Sequence, residues 1–400
     1  MPRSSSALAR SFGLTATLAL GATAALAHAD VRAEPAWIWT SEAASPRLPP
    51  PNALSESEAG LERLCGRPEA GLREVAARLA ERKVLDLPFL DAEGVAQSQR
   101  VAGEPHVWPH AWVLSGQTLD HAATRQKLAA WGATFHENGE RRCGLASRRG
   151  ADGTEVIAAV ALDALADLSP LPTETHVGTW LSVEARLLVP ASGARVVVMG
   201  PTGLPRSVPT QLQGGRIRAQ LALDRPGAFT VQIVADTAQG PRPVLEAELF
   251  ADKTPWTRLP DAEVPGETVT PAERTDRGAL LAMIEELRSL EQTPPLAPLG
   301  RLNALALAHA ERMKGARLVG HDVGDGDPNR RFEASDVRAR TFGENVAHAG
   351  SVLLAHRALY ASPSHRTNLL SRDFDHVGIG VVRDEDGSVW VAEEFAGGLE

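Results

Sequence analysis

Residues 362–370 read Ser362-Pro363-Ser364-His365-Arg366-Thr367-Asn368-Leu369-Leu370, and the reading of the chain starts from them. Serine is a good helix N-cap, and proline suits the first helical position, where its missing N–H costs nothing. That grammar places His365 in the first turn of a helix. The partial positive charge at a helix N-terminus disfavours imidazolium there. A neutral ring is therefore expected at neutral pH, able to accept a proton or bind a metal. A histidine that only caps or packs the helix start is the competing reading.

Working outward, the same region holds Pro295-Leu296, Leu302 and an Ala306–Ala310-Glu311-Arg312-Met313 helical run. Gly320-His321-Asp322, Gly343-Glu344-Asn345-Val346-Ala347 and Val377-Gly378-Ile379-Gly380-Val381 complete the series. Each motif alone is weak. In this order over about 120 residues they resemble the CAP superfamily, which includes cysteine-rich secretory proteins, venom antigens and plant pathogenesis-related proteins. The absence of cysteine from the segment is similar to the bacterial extracellular branch. The resemblance implies an α–β–α sandwich over residues 270–400, with a cleft lined by His321, Glu344 and His365. It departs from the family at Glu285, where Asn is usual, and at Leu359, where many members have Trp. The second glutamate of many eukaryotic members has no counterpart, its nearest position being Ser362.

Two imidazoles and a carboxylate facing one cleft form a plausible set for a divalent metal such as zinc, with water completing the shell. The metal set His321, His365 and Glu344 rests on the resemblance, because 44 residues separate the two histidines and no short motif fixes them on one helix face. Glu344, between Gly343 and Asn345, looks turn-like. It either bonds an imidazole or metal, or receives backbone N–H groups and holds a loop. For His321 the alternative is a surface-turn histidine. Asp325-Gly326-Asp327-Pro328-Asn329 superficially resembles a calcium loop, but lacks the sixth-position Gly and twelfth-position Glu, so a solvated acidic loop is expected. His309, His348, His356 and His376 are expected in solvated or capping roles, and Arg330, Arg331, Arg338 and Arg340 on a solvated surface. No G-x-S-x-G elbow, Walker loop or dinucleotide fingerprint appears.

The 400 residues exceed one ordinary core and suggest several domains. A formal charge of −9 and pI near 5.8 argue against nucleic acid or an anionic membrane as partner. Arg3 and Arg10 precede a charge-free apolar run, Leu14 to Ala27, followed by Ala27-His28-Ala29. This is the pattern of a signal peptide over 1–29. The run is 14 residues long, short for a membrane span, and no later segment is long and apolar enough, so a secreted or periplasmic protein without a transmembrane segment is expected. Export gives meaning to Cys65 and Cys143, an even count that suggests one disulfide.

Residues 30–56 read as a Pro/Ser-rich linker, in which Trp37 and Trp39 are expected to pack on a neighbouring domain. Residues 172–252 show short alternating strands separated by Gly and Pro turns, the pattern of an immunoglobulin-like β-sandwich. Residues 253–269 form a second linker, and Thr270-Pro271-Ala272-Glu273 reads as a capping box opening a helix to about Leu290. Residues 57–170 are mixed, with helices near Leu72–Lys83 and Leu119–Trp131 and a hairpin over Cys143–Ala161.

This first mixed segment resembles the last. Leu72–Arg82 aligns on Leu302–Arg312 and Cys143–Ala158 on Val377–Ala392, each with five identities, at offsets of 230 and 234. A duplication is the favoured explanation; chance likeness of amphipathic helices and Asp-Gly hairpins competes with it. On the 234 offset Glu344 falls at His110 and His365 at Trp131, making residues 57–170 a degenerate CAP-like copy. The whole is expected to be a multidomain α+β protein. Its expected function is a binding module whose cleft holds a metal and a lipid, peptide or envelope ligand. The alternatives are a hydrolase or peptidase, with Glu344 and His365 as catalytic candidates, and an envelope scaffold with a vestigial cleft.

Overall fold

The hairpin Glu140–Arg149 and Glu155–Ala164 turns at Gly153, whose φ of +84° only glycine adopts readily. The computed structural model describes residues 35–399 apart from 51–52, 91, 136–138, 239, 259–262 and 268–274. The leader 1–29 and the Thr270–Glu273 capping box lie outside these residues. The hairpin is the centre of a four-stranded sheet, ordered Arg67–Pro68, Glu140–Arg149, Glu155–Ala164, His110–Gly116. The first pair is parallel and the others antiparallel. Helix Ala70–Val84 lays Leu72, Val75, Ala76 and Leu79, spaced by three and four, against Val156, Ala158 and Val160. The opposite face packs Leu61 of helix Glu56–Cys65 and Leu128 of helix His121–Gly132 on Leu145, Ala159 and Ala161. Cys65 and Cys143 form a disulfide in this second layer, with Cα atoms 5.7 Å apart. The helix Glu56–Cys65 was not anticipated; Ser55 starts it with a capping box completed by Glu58.

A second four-stranded sheet runs Ala297–Pro298, His376–Arg383, Val389–Leu399, Ala339–Ala349. Along Val389–Leu399, Trp390, Ala392 and Ala396 face helix Gly300–Ala316, while Val389, Val391 and Phe395 face the other layer. That layer consists of helices Asp276–Leu290, Val352–Ala361 and Pro363–Leu370, contributing Leu280, Met283, Leu287, Leu359 and Leu369. Full burial of each such side chain is worth about 1.5–3 kcal/mol. The result is a mixed α/β, α–β–α sandwich, as expected for this segment.

The two four-stranded sheets have the same strand order and sense. Their hairpins also pair in identical register at a constant offset of 234: Gly144 opposes Val160 as Gly378 opposes Glu394, and Arg149 opposes Glu155 as Arg383 opposes Val389. The outer strands differ by one. Glu344 opposes Glu394, whereas Val160 opposes Ala111, so Ala111 and not His110 is the positional counterpart of Glu344.

Between them, residues 166–251 form two facing sheets. One is ordered Arg206–Val208, Gly193–Met199, Gly227–Thr237, Gly240–Ala251, Glu174–Thr175; the other Thr210–Gln213, Arg216–Ala222, Trp180–Leu187, Ala166–Leu168. The strict alternation of Leu181, Val183, Ala185 and Ile217, Ala219, Leu221 turns these residues into a shared core with Val196, Val198, Val231 and Leu249. Ala166–Leu168 joins this sheet although it precedes residue 172, where the domain was expected to begin. Trp39 packs edge-on against Phe250 at 4.8 Å and donates its Nε1–H to Trp256 O, while Arg78 covers the buried Trp37. Both tryptophans thus pack on neighbouring units.

Candidate functional site

Glu344 lies in the middle of strand Ala339–Ala349, not in a turn, and its side chain shares a sheet face with Glu394 opposite. Gly343 precedes it because a β-carbon there would meet Phe374 at 2.6 Å. Glu344 is nearly sealed, its side chain 1% exposed, yet His321 beside it is 48% exposed. The two are joined by a 2.6 Å bond from His321 Nδ1 to Glu344 Oε1. Since the carboxylate accepts at Nδ1, the other ring nitrogen, Nε2, is left for an external partner.

The second oxygen of Glu344 is held by the Arg331 guanidinium, which also donates to the carbonyls of His321 and Gly326. Arg331 comes from the short helix Pro328–Ala334, capped by Asp327. It is buried, which corrects its expected place on a solvated surface; Arg330, Arg338 and Arg340 are exposed as expected. One cation thereby fixes both the loop that carries His321 and the strand that carries Glu344.

The acidic loop also turns one carboxylate inward. Asp325 meets His309 Nδ1 at 2.7 Å, while His309 Nε2 faces Gly320 O at 3.0 Å. Burial raises the Asp325 carboxyl, but the His309 hydrogen bond and the nearby Arg331 outweigh it and leave the group below its usual range. Asp325 therefore braces the loop that carries His321 from within, while Asp327, its side chain 45% exposed, and Asn329 stay at the surface as expected. His309, expected at the surface or in a cap, is fully buried behind Glu344. His356 is likewise buried, bonded to Pro265 O, whereas His348 stacks on Trp390 and His376 pairs with Asp375.

Burial likewise pushes Glu344 up, but the His321 hydrogen bond and the charges of His321 and Arg331 more than offset this and hold it ionised below its usual range. Glu394 goes the other way. Burial first, then the Glu344 charge, raise it well above the carboxylate range, so it stands as a neutral acid opposite Glu344, with neither carboxyl oxygen hydrogen-bonded among the described residues. The second carboxyl of the site thus comes from strand Val389–Leu399, not from the Ser362 position. Ser362 lies instead 3.5 Å from Ser364 Oγ at the start of helix Pro363–Leu370.

His365 sits in the first turn of that helix, with Pro363 at its opening, as the sequence predicts, although the Ser362 side chain makes no cap bond. Asn345 Nδ2 bonds His365 O at 3.3 Å, and Asn368 Nδ2 bonds both Glu344 O and Asn345 Oδ1, which ties this helix to the Glu344 strand. His365 is pushed down to about 3, by burial first and then by repulsion from His321, with Glu344 opposing. It is neutral at neutral pH. The sequence reading reached that state through the helix dipole; the dominant cause is desolvation.

His321, Glu344 and His365 are thus brought within mutual electrostatic reach, joined by Arg331, His309, Asp325 and Glu394, which sequence reasoning missed. Asp327-Pro328 was the available signal for Arg331, since it marks a helix start four residues upstream. Both Glu344 oxygens are already engaged, and among the described residues no group of three or more His, Cys, Asp or Glu side chains is arranged to hold a metal ion. Two imidazoles remain as donors. Among the same residues no helix is long and apolar enough to cross a membrane.

Several solved structures are similar to the chain. An extracellular SCP-domain protein of Bacillus anthracis shares 16% identity over 58% of this chain and 86% of its own, with a TM-score of 0.29. A cysteine-rich secretory protein of Staphylococcus aureus shares 16% over 59% and 81%, with a TM-score of 0.27. An outer surface protein of Borrelia burgdorferi shares 22% over 30% and 92%, with a TM-score of 0.29. No curated protein matches the chain significantly. The order of motifs and the sheet they build agree with a family match over residues 281–393 to CAP, the cysteine-rich secretory protein family, and over those residues the chain is a CAP domain.

Proposed function

We propose that this is an exported ligand-binding protein whose CAP cleft presents two imidazoles, His321 and His365, to a divalent cation or to an acceptor-seeking group of a lipid or peptide. The observation that carries the reading is the 2.6 Å His321 Nδ1–Glu344 Oε1 bond at a half-exposed ring. A buried carboxylate that fixes the tautomer of an exposed imidazole is the usual support for a histidine ligand. A cation such as zinc would be held by His321 and His365, with Glu344 supporting His321 from behind and water filling the shell. It would supply Lewis acidity and charge for ligand recognition. Binding is favoured over hydrolysis because Glu344, the expected proton shuttle, is locked between Arg331 and His321.

Export is supported by the Cys65–Cys143 disulfide, which suits an oxidising compartment, and by the charged-then-apolar leader in the sequence. The immunoglobulin-like reading of residues 166–251 is supported by their strand order, four strands against a sheet whose central strands are Gly193–Met199, Gly227–Thr237 and Gly240–Ala251. Residues 57–170 read as a degenerate CAP copy, supported by the shared strand order and the constant register of the two hairpins. That copy has Ala111 and Val160 where the cleft has Glu344 and Glu394, so its role is structural or in partner contact.

Calorimetric titration of the full protein with zinc tests the reading. One equivalent is expected to bind the wild type, and His321→Ala is expected to lose at least tenfold in affinity. Wild-type protein that takes up no zinc, or a His321→Ala variant that binds it equally, contradicts the proposal.

A further inference from the structure

At the junction of the first unit and the sandwich, far along the chain from His321, three side chains line up as a nucleophile, a base and an orienting acid. Ser45 Oγ lies 3.1 Å from His106 Nε2, and His106 Nδ1 meets Glu104 Oε1 in a short hydrogen bond. All three side chains are buried. Glu104 accepts at Nδ1, which leaves Nε2 as an acceptor shared by the Ser45 hydroxyl at 3.1 Å and Arg142 NH1 at 3.4 Å. That is the tautomer a general base needs. Strict local geometry holds His106 in place: its backbone bridges to Leu245 of the sandwich, and Glu246 N donates to Pro105 O.

Beside these residues lies a cavity of about 510 Å³ with Ser45 in its wall, within the size range of small-molecule sites. Two features point to its occupant. Arg186 and Arg216 stand directly opposite each other on adjacent strands and both line the cavity. Like charges directly opposite destabilise a sheet, and these two exposed guanidiniums offer an anion two donors on one wall. Asp167 neutralises Arg186, but among the described residues Arg216 has no ion-pair partner. The second feature is Arg142, whose side chain is fully buried and whose NH1 lies 3.4 Å from His106 Nε2. Its NH1 and NH2 are bonded to Glu69, Glu140 and Asp167, and its Nε–H alone has no acceptor among the described residues, so one donor of this paired guanidinium remains near the serine–histidine pair.

We propose that Ser45, His106 and Glu104 form an esterase site for a small carboxylic ester bearing a second anionic group. Ser45 Oγ attacks the ester carbonyl carbon while its proton passes to His106 Nε2. Arg142 faces the resulting oxyanion, and Arg216 takes the remote anion. The tetrahedral intermediate collapses by breaking the bond to the alcohol, which leaves with the proton from His106. Water then attacks the acyl-serine, giving its proton to His106, and the carboxylic acid departs as Ser45 recovers its hydrogen. Here Glu104 is a positioning residue. The site is independent of the CAP cleft.

The test treats the intact, full-length protein with a fluorophosphonate and maps the adduct by peptide mass spectrometry. Turnover of 4-nitrophenyl hemisuccinate and 4-nitrophenyl acetate is followed in parallel. The expected result is labelling at Ser45 and loss of about 100-fold or more in turnover on Ser45→Ala. Arg216→Ala should raise KM for the hemisuccinate by about tenfold more than for the acetate, and Glu104→Gln should shift the pH profile. Native wild-type protein that is not labelled at Ser45 overturns the proposal whatever the variants do. A Ser45→Ala variant that melts earlier but hydrolyses both esters as well as wild type overturns it too, and identifies the trio as a structural clasp.

Discussion

Gly378 lies so close to Leu302 that a β-carbon on it would fall 2.1 Å from the Leu302 carbonyl carbon, and Gly144 stands in the same relation to Leu72. In both halves of the molecule a glycine in the central hairpin lets the main helix sit directly on the sheet. Gly378→Ala and Gly144→Ala must push backbone against backbone, which no rotamer relieves. Each is expected to cost about 3 kcal/mol or more in urea unfolding. Gly60→Ala, in a helix with open space around it, is the control and should gain about 0.5–1 kcal/mol. Equal, small effects at all three positions would contradict the packing.

The Cys65–Cys143 bridge closes a loop spanning 78 residues. Replacing both cysteines with serine should lower stability by about 2–4 kcal/mol. Denaturant titration of the purified double variant reads this directly. An unchanged midpoint would mean that the first unit does not depend on the bridge.

Glu344 and His321 differ in what their loss leaves behind. Glu344→Gln takes the nearer carboxylate from the buried Arg331 and leaves it only Asp325 at 3.6 Å; breaking a buried pair from one side costs about 3–5 kcal/mol. His321→Ala removes a half-exposed ring and should cost less than about 1 kcal/mol. Melting curves of the two variants should rank in that order, and the reverse order would contradict the role given to Arg331.

Burial pushes Glu393 up to about 7 from an ordinary 4.5, against the stabilising hydrogen bond from Asn345. Between those values the folded protein keeps a proton that the unfolded chain has released, so stability falls as pH rises. This contribution is complete below pH 4.5 and lost once pH passes about 7. Glu393→Gln removes the titration. Its stability should match wild type near pH 4.5 and exceed it above about pH 8, by about 1–3 kcal/mol. A gap that is the same at both pH values would show that Glu393 does not titrate in this way.

Much of the molecule was legible in the residues. Alternation over Trp180–Leu187 and Arg216–Ala222 announced the sandwich, and the ordered motifs from Leu302 to Val381 announced the last unit. Neutral His365 followed from Ser362-Pro363, although burial and not the dipole turned out to govern it. What escaped was set by distance in space. Glu394 reads as one more residue of an apolar strand until its pairing with Glu344 is known. Arg331 and His309 look solvated because nothing local shows that a loop folds over them. The counterpart of Glu344 slipped from His110 to Ala111 because the outer strands depart by one residue from the hairpin offset. Ser45, Glu104 and His106 carried no motif at all.

The central claim is that His321 and His365, far apart along the chain, serve one ligand. Long-range ¹H–¹⁵N NMR of the histidine rings during zinc titration tests it most directly. The account predicts that one ring nitrogen of each residue shifts together and that both are complete at one equivalent, with His321 Nδ1 remaining protonated toward Glu344. Rings that respond at different equivalents, or a His365 that never responds, would contradict it.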